Sequence, residues 1–205
     1  MLLYYITDRR QFPGDEAARQ RLLLDKIGEA ADCGVDFIQL REKDLSAREL
    51  EQLARDAQRA IQETSSVTRL LVNSRTDVAL ASGATGVHLR SNDISPREVR
   101  SIWTGRIPMI GVSCHDSVDV KRAKADGASF CVFGPVFEKN GNAGDRPTGV
   151  DLLGHICQQK IPVLALGGIT IENARACVDA GAAGIAGIRL FQENNIADVV
   201  GQLRD

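Results

Sequence analysis

The chain has 205 residues, 43% of them hydrophobic, which is enough for one sizeable core and makes a single domain over 1–205 the expectation. A formal net charge of -2 gives no overall field for nucleic acid or an anionic membrane surface, and no apolar run approaches the length of a membrane span. The five cysteines are odd in number and lack metal-type spacing, so reduced thiols in a cytoplasmic protein are expected.

Met1–Asp8 has no basic region ahead of its apolar residues and reads as a first strand, Leu3–Ile6, not as a leader. Next, Asp32–Arg41 combines a helix end, a glycine suited to the left-handed position that follows a helix, and a short apolar strand. The same pattern returns at Ala81–Arg90, Ala125–Gly134 and Asp179–Ile188, with its glycines at 34, 83, 127 and 181. Intervals of 49, 44 and 54 residues each hold two strand–helix units, hence eight in all. Between the repeats, Arg69–Asn73, Ile107–Val112 and Ile161–Leu166 read as strands. Leu45–Gln62 reads as a helix with Leu50, Leu53, Ala57 and Ile61 on one face. Strict alternation gives a parallel sheet, and eight units close most simply as a (β/α)8 TIM barrel. The competitor, an open doubly wound sheet, rarely uses eight strands in so short a chain. In a barrel, the strand ends and the loops after them converge on one mouth, where chemistry is expected.

After the first strand, Asp8 is expected to cap a turn. After the second comes Gln39-Leu-Arg41-Glu-Lys43. Alternation turns Gln39, Arg41 and Lys43 the same way, and an amide with two cations suits a pyrophosphate: Arg41 grips it bidentately and Lys43 acts as a point charge. After the third, Asn73 points at the mouth, and Arg75 is open to a ligand or to an acidic partner. After the fourth, His88 holds an inward position and reads as a core histidine. Asp93 is open to two roles, turn cap or ligand for Mg2+ on a phosphate, and Ser95 before Pro96 is an N-cap. After the fifth, Ser113 offers a small hydroxyl to an anion or a ring nitrogen. His115 beside Asp116 suggests a triad, but no strained Gly-x-Ser-x-Gly turn is present, which argues against a hydrolase. The loop after the sixth strand, 138–149, is the longest, and its glycines, Asn and Pro suit a mobile lid, with Lys139 and Arg146 placed to reach a phosphate on closure. The seventh strand ends in Gly167-Gly168, with Thr170 placed to cap the next helix, and a second glycine turn follows over Gly184–Arg189. Adjacent strand ends that offer bare backbone N–H groups make a phosphate cup.

Seven motifs occur in order: Tyr5-Ile-Thr-Asp8, Gln39-Leu-Arg-Glu-Lys43, Val72-Asn-x-Arg75, Gly86-Val-His-Leu89, Gly111-Val-Ser113, Phe133-Gly-Pro-Val-Phe137 and Ala165-Leu-Gly-Gly-Ile169. Together, over nearly the whole chain, they resemble the thiamine-phosphate synthase and thiazole tautomerase superfamily of TIM barrels. The resemblance implies a synthase that joins hydroxymethylpyrimidine pyrophosphate to thiazole phosphate. Pyrophosphate leaves first, and the thiazole nitrogen captures the resulting pyrimidine-methyl cation. Carried over by position, it implies pyrophosphate on Gln39, Arg41 and Lys43, the pyrimidine beside Asn73 and Ser113, and Mg2+ on Asp93. It places the thiazole phosphate on the backbone of Gly168, Ile188 and Arg189, with Arg75, His88 and Lys139 as further substrate-binding candidates. Arg41, Lys43 and Ser113 are the implied catalytic set.

Two departures stand out. Ser74 replaces an Asp that synthases usually use as a metal ligand, so weaker Mg2+ binding is expected, and Glu138-Lys-Asn-Gly-Asn replaces a Thr-x-Thr-Lys run. The tautomerase branch also lacks that Asp and often shows Ser-x-x-x-Ser-Pro, as Ser91–Pro96 does, but it carries a catalytic His where this chain has Pro135. Synthase is the first reading. The alternatives are a tautomerase using His115 or Glu138 as acid or base, and a non-catalytic binder of thiamine-pathway phosphates. Small phosphorylated molecules are the expected partners, not nucleic acid or membrane, and a homo-oligomer is compatible with the chain.

Overall fold

The computed structural model describes residues 1–64, 67–138 and 147–204. Its strands are β1 (Leu2–Ile6), β2 (Phe37–Leu40), β3 (Arg69–Asn73), β4 (Gly86–Leu89), β5 (Met109–Cys114), β6 (Phe130–Phe133), β7 (Val163–Leu166) and β8 (Gly184–Gly187). They pair in parallel in chain order, and β8 returns to β1, closing the barrel. The helices are α1 (Glu16–Asp32), α2 (Ala47–Glu63), α3 (Thr76–Ser82), α4 (Pro96–Ile102), α5 (Ser117–Ala125), α6 (Gly149–Cys157), α7 (Ile171–Asp179), α8 (Arg189–Gln192) and α9 (Ile196–Arg204). This is the (β/α)8 TIM barrel expected from the repeat.

Local chemistry explains the element ends. The repeat glycines 34, 83, 127 and 181 have φ of 80°, 75°, 86° and 101°, the left-handed region that lets the chain leave a helix. Ser46, Ser95 and Thr170 each close a capping box on the helix that follows. Strand β5 starts at Met109, two residues later than expected, and β7 starts at Val163, also two later. In both cases a proline, Pro108 or Pro162, precedes the first paired residue and has no N–H to give to the ladder. Strand β8 takes up Gly184–Gly187, so the second glycine turn is confined to residues 187–189.

Alternation divides the core in two. Tyr4, Ile6, Phe37, Leu71, Phe130, Val132, Leu164 and Ala186 fill the barrel, while Leu3, Tyr5, Ile38, Leu70, Val72 and their neighbours pack on the helices. Inside, Phe37 and Phe130 stack at 5.2 Å, and Tyr4 meets both edge-on at 5.9 and 5.5 Å. These rings form a closed floor beneath the mouth. Among the described residues, no helix is long and apolar enough to cross a membrane.

Candidate active site

Register sets the heights of the side chains around the mouth. Leu40 pairs with Val72 and Val72 with Val87, and one step further Asn73 pairs with His88. Arg41 therefore follows at the level of Asn73 and His88, and Lys43 and Arg90 lie beyond the ends of β2 and β4.

The loop after β2 is held from behind. Arg9, only 3% exposed, donates to Glu42 at 3.1 Å and grips both oxygens of Asp44 at 2.7 and 2.9 Å. Thr7 Oγ1 donates to Glu42 at 2.5 Å and accepts from the Arg41 N–H at 2.9 Å. Arg9 in turn holds the Asp44 and Glu16 carboxyls below the usual carboxylate range through direct hydrogen bonds. Glu42 and Asp44 are thus both engaged by Arg9. Among the described residues, neither Arg41 nor Lys43 has a carboxylate partner, whereas Arg9, Arg75 and Arg90 each do. Arg41 pushes the Lys43 ammonium pKa down, burial and Arg90 act the same way, and Asp8 opposes them. Arg41 and Lys43 line a cavity of about 480 Å³ with Asp8, Arg10, Gln11, Glu42 and Asp44. Two cations without an ion-pair partner among the described residues are the kind of group that a polyanion suits.

A buried chain runs up through the barrel to the mouth. Tyr4 Oη lies 3.1 Å from His88 Nδ1, and His88 Nε2 lies 2.9 Å from Ser113 Oγ. Burial pushes the His88 pKa down to about 3; Asp93 opposes this and Arg41 adds to it, so the ring is neutral and carries one N–H. Tyr4 is fully buried and has no other partner among the described residues, so its hydroxyl donates to Nδ1. Nε2–H then donates to Ser113 Oγ, which leaves the Ser113 proton free to point into the mouth. The tautomer follows from this hydrogen-bond accounting.

On the far side of β1, Leu166 of β7 pairs with Ala186 of β8, so the loops that carry Gly168 and Ile188 leave adjacent strand ends. Gln192 of α8 accepts from the Tyr5 hydroxyl at 3.0 Å and donates to the Asp8 carbonyl at 2.8 Å, fixing this rim to the end of β1. Gly167 and Gly168 have φ of 97° and 62°. A Cβ on Gly168 would sit 2.4 Å from the Glu138 carbonyl oxygen, and one on Gly167 would sit 2.6 Å from Pro135. Packing under the loop after β6 thus demands the glycine pair independently of any ligand.

The family model described as thiamine monophosphate synthase matches residues 3–191. The chain belongs to the thiamine-phosphate synthase family. A Geobacter sulfurreducens relative is 44% identical over 186 residues, 90% of this chain and 83% of the relative. The thiamine-phosphate synthase of Syntrophomonas wolfei is 34% identical over 204 residues, covering 98% of this chain and 92% of its own. A solved structure, thiamine phosphate pyrophosphorylase from Pyrococcus furiosus, superimposes with a TM-score of 0.82 at 30% identity, over 99% of this chain and 93% of that one.

Against the expectations drawn from family motifs, the structure gathers Gln39, Arg41, Asn73, His88 and Ser113 on neighbouring strands at one rim. The Gln39 amide has no side-chain partner among the described residues although the residue is 2% exposed. His88 is the core histidine: it spends both ring nitrogens on Tyr4 and Ser113, so it reaches a substrate only through Ser113. Of the two roles open to Arg75, the acidic partner is present: its Nε donates to Asp77 at 2.9 Å. One expectation changes. Asp8 does not cap its turn with its side chain, which accepts instead from Gln11 Nε2 at 2.8 Å. The triad is absent: Asp116 caps α5, and His115 Nδ1 donates to the Gly134 carbonyl at 3.1 Å. Lys139 and Arg146 lie outside the described residues. Two contributors escaped the sequence reading, Arg9 and Tyr4. Arg9 meets Glu42 33 residues on and Tyr4 meets His88 84 residues on, and only the folded barrel brings these pairs together.

Proposed function

We propose that this chain is a thiamine-phosphate synthase, joining hydroxymethylpyrimidine pyrophosphate to thiazole phosphate with loss of pyrophosphate. The observation that carries this reading is the Arg41–Lys43 couple, which has no acidic ion-pair partner among the described residues and lines a cavity beyond the end of β2. The bond from the pyrimidine methylene carbon to the pyrophosphate oxygen breaks, and the electron pair leaves with the pyrophosphate. The thiazole nitrogen lone pair then closes on the methylene cation. No proton has to move in either step, so catalysis rests on position and charge. Arg41 and Lys43 stabilise the growing charge on the leaving group. Gln39, Asn73 and the Ser113 hydroxyl orient the pyrimidine, and the backbone at Gly168, Ile188 and Arg189 takes the thiazole phosphate. The neutral His88 adds no charge next to the cation.

Magnesium enters this reading as an ion carried by the pyrophosphate, with Asp93 as its protein contact. As a holder of a resident ion the site does not fit. Among the described residues, no group of three or more His, Cys, Asp or Glu could hold a metal. Asp93 already accepts Arg90 N–H at 2.8 Å and the Arg90 side chain at 3.2 and 3.0 Å. No step above therefore passes through the metal. The five free cysteines agree with a reducing, cytoplasmic setting.

The test is direct. Purified protein with both substrates and Mg2+ should form thiamine phosphate; no product above a no-enzyme control would overturn the reading. The tautomerase alternative keeps one observation in its favour, since His115 donates through Nδ1 and leaves Nε2 open as a base. Under that alternative, the carboxylated thiazole would change its ultraviolet spectrum on mixing without metal.

A further inference from the structure

Asp93 sits at the mouth with a cation already on it. Its two oxygens accept three bonds from Arg90, and the Asp93 N–H closes the turn on the Arg90 carbonyl at 3.1 Å. Burial works against ionisation of Asp93, but bonds from the Arg90 backbone, the Ser74 hydroxyl and the Arg90 guanidinium outweigh it and hold the carboxyl below its usual range. Arg90 follows directly on Leu89, the last residue of β4, and so stands at the barrel mouth, two strands round the ring from β2, whose loop carries Lys43. The two are close enough for the charge of Arg90 to act on the Lys43 ammonium. The guanidinium is 60% exposed, and Asp93 engages Nε and one terminal nitrogen, leaving the other terminal nitrogen to face solvent at the rim.

We propose that Arg90 is a third cation of the pyrophosphate subsite, carrying charge that a carboxylate pair with its metal ion would otherwise supply, so that this chain binds pyrophosphate without Mg2+. The proposal rests on the synthase reading. Ser74 supplies a hydroxyl and no charge to this corner, and Arg90 pairs with its carboxylate, Asp93. A guanidinium in that place turns a metal-binding corner into an anion-binding one.

Calorimetry of inorganic pyrophosphate in EDTA tests this, using the full chain, Arg90→Ala, Arg90→Lys and Lys43→Ala. The expected result is binding by the unaltered chain without metal, a loss of about tenfold or more in Arg90→Ala, and partial rescue in Arg90→Lys. If Arg90→Ala binds like the parent while Lys43→Ala loses affinity, the proposal falls and the synthase reading stands. If the parent binds only when Mg2+ is added, the proposal also falls. If pyrophosphate does not bind with or without Mg2+, the proposal and the synthase reading fail together.

Discussion

His88 shows how burial alone sets a chemical state. Its folded pKa, pushed down by desolvation to about 3, lies below the ordinary value of 6.5. Between those values the unfolded chain binds a proton that the native chain does not, so stability rises with pH across this window. The contribution is complete above pH 6.5 and is lost as pH falls toward 3. The carboxyls with resolved shifts are all lowered, so about one pH unit above their ordinary values they are ionised in both states and contribute little. Unfolding free energies from urea titrations between about pH 7.5 and 5.5 should therefore fall with a slope approaching about 1.4 kcal/mol per pH unit, the value for one proton. His88→Gln keeps an amide between Tyr4 and Ser113 without a titrating group, and its slope should be flatter by about that amount. Equal slopes would mean that His88 titrates alike in the folded and unfolded chain, with no shift from burial.

At the scale of elements, the loop after β2 divides its charges between two duties. Glu42 and Asp44 anchor it on Arg9, and Arg41 and Lys43 have no ion-pair partner among the described residues. Glu42 is 4% exposed, so Arg9→Met leaves a buried carboxylate without its ion partner and should cost about 3 kcal/mol in urea unfolding. Arg9→Met with Glu42→Met removes both charges and should recover most of that loss, while pyrophosphate affinity stays low because Lys43 is no longer held. A double variant no more stable than the single one would show that Arg9 acts by packing. This division of duties was half legible. The spacing of Gln39, Arg41 and Lys43 is local and could be read from the chain, as could the caps at Ser95 and Thr170. Arg9 could not, because a basic residue before a helix looks the same whether it meets solvent or a carboxylate 33 residues away. The Gly167-Gly168 pair is ambiguous in a different way. A glycine kept for an anion and a glycine kept for a neighbouring carbonyl are identical in sequence, and here the Glu138 oxygen suffices to require it.

For the whole molecule, the closed ring decides which sites can act on each other. All strands run parallel, so the ends of β2, β4, β7 and β8 share one rim, and the repeat of glycines made this legible before any coordinates. What the repeat did not show is angular position. Strand β2 is two strands from β8 and three from β7, whereas β6 lies opposite it, so the cation pair and the glycine turns are neighbours on an arc and do not face each other across the mouth. The Tyr4–Phe37–Phe130 floor and the Gln192 tie to the β1 end stiffen that arc. A stiff arc with two separate anion subsites binds two anions independently. Each of inorganic pyrophosphate and thiazole phosphate, at a hundred times its Kd, should add about 2.7 kcal/mol, a rise of roughly 5–10 °C in Tm for a chain of this size. Given together they should raise Tm by close to the sum of the two separate shifts. A combined shift no larger than the greater single one would mean that both anions compete for the Arg41–Lys43 cavity, and that the turns at 168 and 188 serve the fold and not a phosphate.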